Sequence, residues 1–124
     1  MNVIDSSGWL EYFSNTPNAE VFASIIKDTK QLVVPTISMY EVFKRVSSQA
    51  DEEDALKAIG LMSVGKTVNL TQEIALSAAL LSIEHKLPMA DSIILATAQA
   101  HQATLWTQDE HFKDLPGVKY VEKG

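Results

Sequence analysis

Short β-like runs alternate with longer helical runs along all 124 residues, and this alternation constrains the fold more than any other feature of the chain. Val3-Ile4 reads as a first strand and Leu32 to Ile37 as a second, with Pro35 marking its exposed or terminal part. Thr67 to Leu70 reads as a third strand, Thr104 to Thr107 as a fourth, and Lys119 to Glu122 as a fifth after the Leu115-Pro116-Gly117 turn. Between them, apolar residues recur at helical spacing. Ser6 to Phe13 is a first helix, and Val21, Phe22, Ile25 and Ile26 mark a second beyond the Asn15 to Asn18 break. Ser38 opens a helix carrying Val42, Phe43 and Val46. Ser47 to Asp54 reads as a polar connection, and Ala55, Leu56, Ile59 and Met62 mark a further helix closing near Gly60 to Gly65. Thr71 is a candidate N-cap for a helix holding Ile74 to Ile83. That helix is apolar around much of its circumference and is expected to be buried on more than one side. After the Leu87 to Ala90 turn, Asp91 to Ala103 is a second strongly apolar helix.

Strands alternating with helices predict an α/β fold: a three-layer α/β/α domain with a mainly parallel sheet of four to five strands. The length is that of one domain, spanning 1–124. An apolar content of 46% excludes a disordered chain. The absence of cysteine excludes a disulfide scaffold, thiolate metal sites and a cysteine nucleophile. No targeting segment or membrane span is read from the sequence, so a cytoplasmic location is expected. No glycine-rich phosphate loop is present.

In an open parallel sheet, ligands bind outside the carboxyl ends of the strands. Four acids fall there. Asp5 ends the first strand, Glu41 lies in the first turn after the second, Asp91 opens the penultimate helix, and Asp109 follows the fourth strand. Each has an ordinary reading: Asp5 and Asp109 as caps, Ser38-x-x-Glu41 as a capping box, Asp91 as a dipole partner. Together they form a concentrated negative site, and clustered carboxylates repel unless protons or cations share them. Asp91 stands inside a mostly apolar stretch, Ala90 to Ala96, which surface decoration does not explain. Oxygen ligands suit a hard cation such as Mg²⁺ or Mn²⁺. The chemistry natural to such a site is hydrolysis of a phosphodiester or phosphoester.

The segments Val3-Ile4-Asp5-Ser6-Ser7, Ile37-Ser38-x-x-Glu41, Ala90-Asp91-Ser92-Ile93-Ile94-Leu95-Ala96 and Thr107-Gln108-Asp109-Glu110-His111-Phe112 follow a familiar order. In these segments the sequence resembles the PIN-domain ribonucleases, and in size and layout the VapC-type toxins of bacterial toxin–antitoxin pairs. The resemblance implies that Asp5, Glu41, Asp91 and Asp109 hold Mg²⁺ or Mn²⁺. It implies that Ser7 and Thr107 support them by hydrogen bonding. It also implies endonucleolytic cleavage of RNA by a metal-activated water, a small antitoxin protein that blocks the site, and a homodimer.

A net charge of −6 argues by itself against a nucleic-acid partner. The placement of the acids weakens that argument. Four are assigned to the site and four lie in Asp51 to Asp54, which leaves eight acids against ten bases. Lys44 and Arg45, one turn past Glu41, are candidate contacts for an RNA backbone, or ordinary surface bases. Glu11 reads as an exposed helix position, while Glu110 and Asp114 compete with Asp109 for its role. His85, His101 and His111 show no metal-ligand spacing, so no histidine metal site is expected. Trp9, Tyr12, Phe13, Phe22, Tyr40 and Phe43 read as core or dimer contacts rather than a base-stacking platform. Two other readings compete with a nuclease: a phosphoacceptor signalling domain, and a non-catalytic binding subunit whose acids are only caps.

Overall fold

The computed structural model describes every residue from Met1 to Gly124. Five strands form the sheet: β1 (Asn2–Ile4), β2 (Leu32–Pro35), β3 (Lys66–Val68), β4 (Thr104–Thr107) and β5 (Val118–Tyr120). Six helices surround it: α1 (Ser6–Ser14), α2 (Ala19–Ile26), α3 (Thr36–Gln49), α4 (Glu52–Met62), α5 (Gln72–His85) and α6 (Met89–Ala100). The strand order is β3-β2-β1-β4-β5 and every pairing is parallel. The chain builds outward from β1 on one side, then crosses to build outward on the other. The order therefore reverses beside β1, and a crevice is expected where β1 and β4 end.

Side chains alternate across the sheet, and this divides the core in two. Val3, Val33 and Leu105 face α5 and α6, packing on Ile74, Leu81, Ile94 and Leu95. Ile4, Leu32 and Val34 face the other helices, packing on Trp9, Phe22, Val42 and Met62. Helices thus cover both faces, as the alternation of elements predicts. Full burial of each large apolar side chain contributes about 1.5–3 kcal/mol. Gly8 lets α1 sit close to the sheet, since a Cβ there would lie 2.6 Å from Ile4 Cγ2 and 2.8 Å from Phe22 Cε1.

Several local expectations are corrected. The second strand stops at Pro35, whose φ of −66° turns the chain directly into α3. Ser38 therefore lies inside the helix, buried with its hydroxyl unpaired, and no Ser38–Glu41 capping box forms. Glu41 falls in the second turn rather than the first. Most of the expected 47–54 connection is helical, because α3 runs on to Gln49 and α4 starts at Glu52. Asp51 caps α4 by accepting from Asp54 N at 2.7 Å, and the following acids suit the positive end of the helix. Thr71 caps α5 as expected, accepting from Ile74 N at 3.2 Å. α6 starts two residues early, at Met89.

α5 is not buried on more than one side within the chain. Ile74, Ala78 and Leu81 face the core, while Leu76, Leu80 and Ile83 are 61%, 68% and 77% exposed. The two apolar stripes lie on opposite faces of one helix. α6, by contrast, is buried without a break from Ser92 to Ala98. No helix is long and apolar enough to cross a membrane.

Candidate active site

Asp5 leaves the end of β1 and enters the crevice almost fully enclosed, at 2% exposure. It accepts from Gly8 N at 3.0 Å and so caps α1. Ser7, in the first turn of α1, donates to both carboxylate oxygens at 2.8 and 2.9 Å. Burial pushes the Asp5 carboxyl up to about 7, although Ser7, Gly8 and the Thr107 hydroxyl all favour its charged form and Asp109 disfavours it. The capping role and the buried, costly charge belong to the same side chain.

α3 brings Glu41 to the same place. Its Oε1 accepts from the Ser6 hydroxyl at 2.6 Å. Asp91 arrives in the first turn of α6, with its side chain 15% exposed. Burial raises its pKa, and the neighbouring Asp109 and Glu41 charges add to this, while a hydrogen bond with His111 opposes it. Asp109 follows β4. Its backbone N–H donates to Thr107 Oγ1 at 2.9 Å, and its carboxylate accepts from His111 N at 2.9 Å. All four acids line one cleft of about 410 Å³ together with Ser6, Ser7, Tyr40, Lys44 and Arg45. No lysine or arginine lies within ion-pair distance of any of the four.

That arrangement has a chemical consequence. Four carboxylates from four elements converge, two of them with raised pKa values, and the only basic side chain in contact is the imidazole of His111. Oxygen donors of this number and charge fit a hard divalent cation, which would offset both the burial of charge at Asp5 and Asp91 and the repulsion between neighbouring carboxylates. Asp91, Asp109 and His111 by themselves offer donor atoms within 4.8 Å of one another.

The PIN domain family model matches residues 3–118. The chain belongs to the PIN-domain family. Among solved structures, a toxin–antitoxin complex from Klebsiella pneumoniae is similar at 28% identity and TM-score 0.82, covering 98% of this chain and 99% of that one. VapC20 of Mycobacterium tuberculosis, a toxin that cleaves the sarcin–ricin loop, has the same fold at 14% identity and TM-score 0.77, with 98% of each chain covered. VapBC2 of Rickettsia felis, bound to a DNA fragment from its promoter, matches at 16% identity and TM-score 0.75 over 98% of this chain and 97% of that one. No curated protein matches the sequence.

In this PIN domain, Asp5, Glu41, Asp91 and Asp109 share one cleft, while Glu11, Glu110 and Asp114 stand outside it. Ser7 and Thr107 both touch the site. Glu11 is not an exposed helix position. It is half-buried, accepting from Asn18 N at 2.8 Å and from Gln108 Nε2 at 3.0 Å. Burial works against its charge, but the hydrogen bonds and the Lys123 charge outweigh this and hold its pKa low. Gln108 also accepts from Asn18 Nδ2 at 3.0 Å, so a buried amide ties the Asp109 loop to α1 and α2.

Two contacts escape the sequence reading. Ser6, the neighbour of Ser7, holds Glu41, a pairing across 35 residues that no local pattern reveals. His111 Nδ1 lies 3.0 Å from Asp91 and 3.4 Å from Asp109. The hydrogen bond to Asp91 and the surrounding acidic charges raise the His111 pKa. Its spacing of two residues from Asp109 is the sequence signal for this contact, because an Asp carboxylate commonly caps the N–H two residues on. Tyr40, read as a core or dimer contact, is 59% exposed at the cleft. Trp9 and Phe22 are core residues, as expected.

Proposed function

We propose that this chain is the toxin of a toxin–antitoxin pair and acts as a Mg²⁺- or Mn²⁺-dependent endoribonuclease in the cytoplasm. The observation that carries the reading is the convergence of Asp5, Glu41, Asp91 and Asp109 in one cleft with no lysine or arginine paired to them. A divalent cation bound there supplies Lewis acidity toward a phosphate and lowers the pKa of a water. The chain's residues do the rest. Asp5 is the buried anchor, its two oxygens aligned by Ser7 and one of them held by the Gly8 N–H of α1. Ser6 fixes the Glu41 carboxylate at the cleft wall, where it is suited to orient a water or take its proton. Thr107 holds the Asp109 backbone in place. Lys44 and Arg45, exposed at the cleft, are suited to a phosphate of the RNA strand.

The similarity to toxin–antitoxin complexes supports a small antitoxin protein as partner. The exposed Leu76, Leu80 and Ile83 stripe on α5 supports a homodimer, because such a face is costly to leave in water. A phosphoacceptor domain is not supported. The position after β4 where it would need a lysine holds Gln108, engaged with Glu11 and Asn18. The test is cleavage of RNA by purified chain with Mg²⁺ or Mn²⁺, with a chelator, and after Asp91→Asn. Cleavage that survives the chelator or the substitution sinks the proposal.

A further inference from the structure

We propose that His111 is a direct ligand, through its imidazole nitrogen, of the cation shared by Asp91 and Asp109. It thereby biases the site toward first-row transition ions such as Mn²⁺ over Mg²⁺. This inference rests on the metal-site reading above and extends it to a nitrogen donor outside the four acids.

The geometry comes first. His111 Nδ1 lies 3.0 Å from Asp91 Oδ2 and 3.4 Å from Asp109 Oδ1. Two neighbouring donors on an octahedral ion with bonds of about 2.1 Å stand about 3 Å apart. The three groups can therefore share an ion with little movement, and their donor atoms already lie within 4.8 Å. The base of the ring is held on both sides. His111 N donates to Asp109 at 2.9 Å, and the next residue, Phe112, is fully buried in the core. The ring itself is 58% exposed, so it is not committed to packing. Its ring-nitrogen contacts are with the two carboxylates alone.

Chemistry then decides which ion gains. Carboxylate, carbonyl and water oxygens suit Mg²⁺ and Mn²⁺ alike, whereas imidazole is a ligand for first-row transition ions, whose affinity rises along the row from Mn²⁺ to Co²⁺. Replacing one water on the ion by imidazole favours Mn²⁺, and Co²⁺ more strongly, without changing the carboxylates. A histidine that only hydrogen-bonded to Asp91 would position that carboxylate for either ion alike.

The experiment is pulsed electron paramagnetic resonance of Mn²⁺ bound to the 124-residue chain, with calorimetric titration of Mn²⁺ and Mg²⁺. It compares the parent chain with His111→Asn, which keeps a hydrogen-bonding side chain, and with His111→Ala. Asp91→Asn serves as the control for the carboxylate site. The expected result is nitrogen modulation in the parent spectrum that is absent in both His111 variants. Mn²⁺ affinity should fall about tenfold while Mg²⁺ affinity changes by less than about threefold. Absence of nitrogen modulation in the Mn²⁺-bound parent overturns the inference and leaves the metal reading standing. So does an Mn²⁺-to-Mg²⁺ preference unchanged in His111→Asn. Failure of the parent chain to bind either ion overturns both.

Discussion

At the scale of single residues, Asp5 joins structure and function in one side chain. It closes α1 as a cap, yet its burial raises the carboxyl to about 7 from an ordinary 3.8. Between those values the folded chain holds a proton that the unfolded chain has released. Stability from this group is full below pH 3.8 and is lost as pH rises through about 7. In chelator, the melting temperature of the parent should therefore fall relative to Asp5→Asn between pH 4 and pH 8, roughly the window set by the two pKa values. Thermal melts of the two proteins at matched pH check this, and parallel curves would refute it. The His111 contribution is common to both and cancels. Cleavage should fall at least about a hundredfold in Asp5→Asn, a trade of activity for stability typical of strained sites. Ser6→Ala keeps all four acids but frees Glu41. Activity should drop about 10- to 100-fold with melting little changed, as for other groups that hold a metal-site carboxylate. A cleavage assay beside a melt separates that outcome from misfolding.

At the scale of elements, close packing around α1 sets the mouth of the site. Gly8→Ala places a methyl 2.6 Å from Ile4 and 2.8 Å from Phe22, both in the core. The helix must move, and the change should cost about 1–3 kcal/mol in urea unfolding. Movement of α1 also carries Ser6 and Ser7 away from Glu41 and Asp5, so activity should decline with stability. The loop after β4 is held differently, by the amide of Gln108 between Glu11 and Asn18. Gln108→Ala leaves a half-buried carboxylate short of a donor and should destabilise by about 1–3 kcal/mol by the same measurement. A loss below about 0.5 kcal/mol would show that water replaces the amide.

At the scale of the whole molecule, α5 is the element whose two faces disagree with a lone chain. Its core face is filled by Ile74, Ala78 and Leu81, and its outer face carries three large apolar residues. Pairing through that stripe should give a dimer by light scattering, and Leu80→Glu with Ile83→Glu should give a monomer. A monomeric parent would remove the stripe as the interface. The proposed cation binding would also be a property of the whole fold, since its site joins the end of β1, α3, α6 and the loop after β4. An ion bound only by the folded state raises the melting point, by about 2.7 kcal/mol of stability at one hundred times its dissociation constant. Mn²⁺ should therefore stabilise the parent and leave Asp91→Asn nearly unmoved in the same melt.

What the residues determine unaided is local or periodic. Alternating strand and helix patterns dictate a parallel sheet covered on both faces, because each pattern has one way to hide its apolar residues. Position at strand ends marks Asp5 and Asp109, and an acid inside an apolar helix marks Asp91. At the start of α3 two local signals compete. Ser38-x-x-Glu41 has the form of a capping box, but Pro35 ends the strand earlier and packing buries Ser38 within the helix. The contacts that only tertiary structure decides join residues distant in sequence: Ser6 to Glu41, Gln108 to Glu11, and His111 to Asp91. Periodicity reports which side of an element is apolar, whereas a hydrogen bond of about 3 Å depends on where two elements finally cross. The acids were legible because the end of a strand is a property of the chain; their partners were not, because a partner is a property of the packing.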